Sequence, residues 1–106
     1  MVNVGSWIEW DGDQSYLICP GCGDPNLHQV KAEVFNRDRE DSKTGLHVEI
    51  VGQMLSLDED INDSPSDRRD GLDIYFGCEE CPEIVRLSIY QHKGTTYMSI
   101  VQELEG

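Results

Sequence analysis

Two cysteine pairs constrain this chain more than any other feature. Cys19-Pro20-Gly21-Cys22-Gly23 and Cys78-Glu79-Glu80-Cys81-Pro82 each carry two thiols at C-x-x-C spacing. That spacing lets both sulfurs of one turn face a single ion, and two such turns complete a tetrahedral four-thiolate zinc site. Pro20 presets entry into the first turn, and Gly21 and Gly23 tolerate the positive φ that lets backbone amides point at the sulfurs. The chain has 4 cysteines, and this arrangement uses every one. The sequence therefore predicts Zn²⁺ at Cys19, Cys22, Cys78 and Cys81. A site of three cysteines and one histidine drawn from His28, His47 or His92 would strand a cysteine.

A chain of 106 residues makes a single domain, 1–106, with a modest core that a metal staple would supplement. It is strongly acidic: 21 Asp and Glu against 8 Lys and Arg, a formal charge of −13. Four thiolates holding one Zn²⁺ would take the loaded protein to about −15. Such a surface repels phosphate backbones, and it favours solubility, a basic protein partner or mimicry of a nucleic acid. The start, Met1 to Ser6, has neither the basic region nor the apolar run of a secretory signal, and no apolar stretch reaches membrane-spanning length. Reduced, metal-holding cysteines fit the cytoplasm.

The residue pattern reads as strands throughout. Trp7 to Trp10 and Tyr16 to Ile18 flank Asp11-Gly12-Asp13 as a short hairpin leading into the first knuckle, its tryptophans expected in the core. Leu27 to Phe35 alternates, with Val30, Ala32 and Val34 on one face and Gln29, Lys31 and Glu33 on the other. Gly45 to Val51 pairs with it across a long, charged loop, and Gln53 to Leu57 continues the sheet. Asp58 to Asp70 reads as a mobile acidic loop. Leu72, Ile74 and Phe76 alternate on a strand running into Cys78. Two more strands follow, joined at Lys93-Gly94. No apolar set recurs at helical spacing. The expected fold is all-β, small and metal-stabilised: a zinc β-ribbon of antiparallel hairpins with a long insertion, 23–77, between the knuckles. The 55 residues separating Cys22 from Cys78 far exceed the roughly 15–20 of a compact site.

The Cys-Pro-x-Cys-Gly knuckle resembles that of zinc-ribbon proteins in transcription factors, polymerase subunits and small phage proteins. A wider pattern runs from Cys19 to Thr95. It comprises the first knuckle, Val34-Phe35-x-Arg37-x-x-Glu40-Asp41, Pro65-Ser66-x-Arg68-Arg69-Asp70-Gly71, Cys78-Glu79-x-Cys81 and Gln91-His92-Lys93-Gly94-Thr95. It resembles a group of small phage and mobile-element proteins. That likeness implies a setting rather than a reaction. The ribbon family implies zinc at the four cysteines and a sheet that binds nucleic acid or protein, and the acidic surface departs from the usual basic ribbon.

His47-Val48-Glu49 with a downstream C-x-x-C resembles a zinc deaminase signature, but there the histidine opens a helix and a proline precedes the first cysteine, where this chain has Gly77. A redox C-x-x-C needs a βαβ setting. Asp58-x-Asp60-x-Asn62 begins like a calcium loop, but the sixth position is Asp63 rather than glycine and the twelfth is Arg69 rather than glutamate. Arg68 and Arg69, with His92 and Lys93, are the candidate partner contacts: a small basic spot that would grip a carboxylate or phosphate. The plainer reading is that the arginines neutralise Asp67, Asp70 or Asp73 and order their own loop. The sequence thus supports a non-enzymatic zinc adaptor that binds a protein. The second reading is an acidic mimic, centred on Asp58 to Asp73, that blocks a basic nucleic-acid-processing protein. The third is a nucleic-acid-binding ribbon stacking bases on Trp7, Trp10, Tyr75, Tyr90 or Tyr97.

Overall fold

The computed structural model describes residues 2–3, 8–80, 82 and 84–103, with the side chains of 2–3, 8–11 and 103 left aside. Nine strands appear in chain order: β1 (Val2–Asn3), β2 (Ile8–Asp11), β3 (Gln14–Leu17), β4 (Leu27–Arg37), β5 (Gly45–Val51), β6 (Met54–Asp58), β7 (Gly71–Cys78), β8 (Ile84–His92) and β9 (Thr95–Glu103). β2 and β3 pair as a separate hairpin. The other seven form one sheet in the order β1-β9-β8-β7-β4-β5-β6, every pairing antiparallel. Among the described residues there is no helix. The all-β expectation holds.

Turn chemistry sets three of the hairpins. β2–β3 and β5–β6 turn on two residues, with Gly12 (φ 63°) and Gly52 (φ 60°) in the first central place that a type II′ turn reserves for glycine. β8–β9 turns on Lys93 (φ 52°) and Gly94 (φ 80°), both left-handed as a type I′ turn requires. The stretch 23–77 is not an appendage. It supplies β4, β5, β6 and nearly all of β7, and β7 lies at the middle of the sheet between β8 and β4.

Directly paired residues share a face, so the register sorts the side chains. One face carries two apolar rows. The first runs Leu55, Ile50, Ala32, Ile74, Leu87, Ile100; the second runs Leu57, Val48, Val34, Leu72, Ile89, Met98. The opposite face carries a polar row, Glu49, Glu33, Asp73, Ser88, Ser99. The sequence reading of β4 needs correction here. A bulge lies between Gln29 and Lys31, leaving Val30 as the extra residue, 41% exposed. The bulge shifts the phase by one, so Leu27 joins Ala32 and Val34 on the apolar face, while Lys31, Glu33 and Phe35 point the other way.

The faces are covered unequally. On the apolar face, Cys19, Val85, Leu87 and Ile100 form a buried cluster, packed by Leu17, Leu27, Phe76, Cys78 and Ile89. The end of β3 and the first knuckle therefore roof the β7–β8–β9 end. On the polar face, the 59–70 segment buries Ile61 and Ser66. This segment, expected to be a mobile loop, is fastened to the sheet. Arg37 donates from Nε to the Arg69 carbonyl (3.0 Å), from Nη2 to the Ser66 carbonyl (2.8 Å), and from Nη1 to the Ser42 carbonyl. Ser66 Oγ donates to the Gln91 carbonyl at 2.8 Å, and the Asp70 carbonyl accepts from Gln91 N at 3.2 Å. The Cα radius of gyration, 14.5 Å, exceeds the roughly 13 Å of a compact chain this long, as befits an open sheet covered only in part.

Candidate metal centre

The first knuckle is built by its backbone. Cys19 N donates to the Asp24 carbonyl (2.9 Å), and Gly23 N donates to the Cys19 carbonyl (2.8 Å), closing a tight turn. Gly23 takes φ 79°, a conformation costly for any residue with a Cβ. Gly21 N points at Cys19 Sγ, 3.4 Å away. The second knuckle is carried by the end of β7. Leu27 pairs with Cys78, and Glu79 N donates to the Asn26 carbonyl at 3.2 Å, so the turn after Cys22 and the turn after Cys78 are tied side by side.

These ties bring Cys19, Cys22 and Cys78 together, with sulfurs all within 4.8 Å of one another. Cys22 Sγ and Cys78 Sγ are 3.5 Å apart, far beyond the roughly 2.05 Å of a disulfide bond. Two sulfurs bound tetrahedrally to one zinc at about 2.3 Å would stand about 3.8 Å apart. The three thiols therefore fit a metal ion. Cys81, the fourth expected ligand, lies outside the described residues, as does Trp7. Burial grades across the site: Cys19 is 0% exposed, Cys78 half-buried and Cys22 exposed. His28 Nε2 meets Glu79 Oε1 at 2.6 Å beside the second knuckle.

The arginines do not present a free basic spot. Arg68 bonds Asp41 from Nε to Oδ1 (2.6 Å) and from Nη2 to Oδ2 (2.9 Å), a bidentate fork, and also meets Glu40 at 3.0 Å. Arg69 meets Glu40 at 2.9 Å. The Arg68 fork holds the Asp41 carboxyl below its usual range and raises the guanidinium in turn. Self-neutralisation is what the geometry displays, with Glu40 and Asp41 as partners in place of Asp67, Asp70 or Asp73. Proximity in sequence misled here, because the 38–44 loop folds back beside the arginines. His92 and Lys93 sit at the β8–β9 turn as expected, and His92 lines a hollow of about 480 Å³ with Asp67, Asp73 and Arg86. Asp58 and Asp60 spend carboxylate oxygens on the amides of Asp60 and Asn62, as successive Asx turns.

The sequence reading passed over a second cluster, on the polar face. His47 Nε2 meets Glu33 Oε2 and His47 Nδ1 meets Asp58 Oδ1, both at 2.8 Å. Lys31 Nζ lies 3.1 Å from Glu33 and 3.4 Å from Glu49. The ring of His47 stacks flat on Phe35, centroids 4.6 Å apart. Burial alone would push His47 down, but hydrogen bonds to Asp58 and Glu33, with their charges, hold it above its ordinary value. The same competition leaves Lys31 raised: burial opposes, while Glu33 and Glu49 favour the ammonium. Glu33, His47 and Glu49 are close enough to hold a metal ion, yet Lys31 already supplies a cation between the two glutamates. The H-x-E of residues 47–49 was the available signal. It lies on strand β5, where the register aligns it with Glu33 rather than with a cysteine pair.

Compared with protein-family models, curated proteins and solved structures, the chain matches none. No helix among the described residues is long and apolar enough to cross a membrane.

Proposed function

We propose that this protein is a zinc-stapled β-ribbon adaptor, working by contact with another protein and not by catalysis. Zn²⁺ is held by Cys19, Cys22 and Cys78, with Cys81 as the fourth thiolate. The observation that supports this is the place of the thiols in the core. Cys19 and Cys78 belong to the same apolar cluster as Val85, Leu87 and Ile100. An ion there joins the β3 end to the β7 end over the main core, which is the work of a structural metal. Four closed thiolates leave no open position for a water or substrate. The function then falls to surfaces carried by the scaffold. The sequence resemblance adds a setting, an accessory protein of a phage or mobile element acting in a host cytoplasm.

The test is a nuclease-treated pull-down from host lysate with zinc-loaded protein. The adaptor reading expects a stoichiometric protein partner that added DNA or RNA does not release. A basic nucleic-acid-processing protein displaced by DNA or RNA would move the reading to acidic mimicry. No partner, together with a salt-sensitive gel shift, would move it to a nucleic-acid-binding ribbon.

A further inference from the structure

We infer that the uncovered half of the apolar sheet face, over β4, β5, β6 and β7, is the seat of the partner, and that the partner covers it with a basic amphipathic segment. This rests on the adaptor reading and names its surface. Leu46 (48% exposed), Ile50 (40%), Leu55 (62%) and Leu57 (62%) lie on the same face as the buried core, beyond the reach of β3 and the knuckle. Scattered exposed leucines need no explanation. Exposed residues that continue two apolar rows across a sheet do, because a sheet face of this composition is stable only when another layer lies on it. Within the face, Val34, Leu72 and Ile89 line a hollow of about 230 Å³, a size that receives one large apolar side chain.

Charge decides among the possible occupants. The rim is acidic: Asp38 and Glu59 border Leu46, and Asp70 borders the hollow. Arg68 and Arg69 are committed to Asp41 and Glu40, and Arg39, beside Asp38 and Asp70, is one cation against the three rim carboxylates Asp38, Glu59 and Asp70. A second copy would bring the same carboxylates and another −13 against this rim, so self-association is opposed. An amphipathic segment with lysine or arginine flanking its apolar residues satisfies both the face and its rim. β6 is the outer strand of the sheet, and Glu59, directly after it, carries the acidic border to that edge.

The experiment uses the full, zinc-loaded chain, immobilised and panned against a displayed library of random 16-residue peptides. Recovered peptides are then titrated by fluorescence anisotropy against the wild type and against a Leu55→Asp, Leu57→Asp variant. Both leucines are well exposed, so zinc content and circular dichroism should not change. The inference expects enriched peptides with apolar residues interleaved with Lys or Arg, and at least about tenfold weaker binding to the variant. The substitutions add negative charge, so a basic peptide lost from the variant reports the apolar contact and not the electrostatics. Enrichment of acidic or uncharged sequences, no enrichment, or equal affinity for both proteins overturns it. So does a wild-type dimer in sedimentation velocity that the variant abolishes, since the face would then seat a second copy. A lysate partner that binds the variant as well as the wild type leaves the adaptor standing and removes this surface.

Discussion

Replacing Glu33 with glutamine tests the buried charge cluster that fastens β4, β5 and β6 together. The Glu33 side chain is 7% exposed and accepts from His47 at 2.8 Å and Lys31 at 3.1 Å. Removing one member of a fully buried pair costs about 3–5 kcal/mol, because the partner's charge is left uncompensated. Here each cation keeps a second carboxylate: Asp58, which is half exposed, for His47, and Glu49 for Lys31. Lys31 is also a third exposed, so solvent screens part of the loss. The expected cost of Glu33→Gln is therefore about 2–3 kcal/mol at pH 6. The pH dependence follows from His47. Its folded value lies above its unfolded value of about 6.5, so its contribution is fully present below that pH and is lost as pH rises through the folded value. Lys31, also raised, stays charged throughout this range. The cost of the substitution should therefore shrink, without vanishing, between pH 6 and pH 9. Urea unfolding of the zinc-loaded proteins at both pH values, followed by tryptophan fluorescence, measures it. A cost under about 0.5 kcal/mol at pH 6, or one equal at both pH values, would refute the reasoning.

Three further outcomes follow from local geometry. Gly71→Ala places a Cβ 2.7 Å from Pro65 Cγ and 2.8 Å from Pro65 Cδ, and a rigid ring gives way poorly; the 59–70 segment should lift, with a cost of about 1–3 kcal/mol and faster amide exchange at Ser66 and Arg69. Lys93→Asn puts a residue tolerant of left-handed φ at the first turn position of β8–β9, and thermal unfolding should show a gain of about 0.5–1 kcal/mol. Arg68→Ala removes an exposed pair with Asp41 and Glu40; zinc content and circular dichroism should be unchanged, and the small loss of stability should fade in high salt.

The strands were legible because their signals are local. Gly45 to Val51 alternates cleanly, and Gly12 and Lys93-Gly94 mark two-residue turns whose chemistry is contained in the turn itself. The Cys19, Cys22 and Cys78 grouping was legible for the same reason: C-x-x-C spacing is a local geometric statement, completed by one pairing between Leu27 and Cys78. What escaped depends on contacts distant in sequence. The bulge at Val30 leaves no mark in the alternation of β4, yet it decides that Leu27 and Gln29 share a face with Ala32 and Val34. Glu33 and Asp73 read as solvent-facing until the sheet register aligns them with Ser88, whose Oγ donates to Asp73 Oδ1 at 2.6 Å. Arg37 gave no warning that it would hold three carbonyls and turn an acidic loop into a fastened cover. In sequence the carboxylates nearest the arginine pair are Asp67 and Asp70, whereas Glu40 and Asp41 reach it through the fold.

The central claim is that a single zinc ion, held by four thiolates, closes the knuckles over the core. X-ray absorption at the zinc edge on protein purified without added metal tests it most directly, with metal content measured on the same sample. The account predicts one zinc per chain with four sulfur neighbours at about 2.3 Å, and loss of both the ion and the fold in Cys78→Ser. A folded protein without zinc, or a zinc shell with nitrogen or oxygen in place of sulfur, would contradict it.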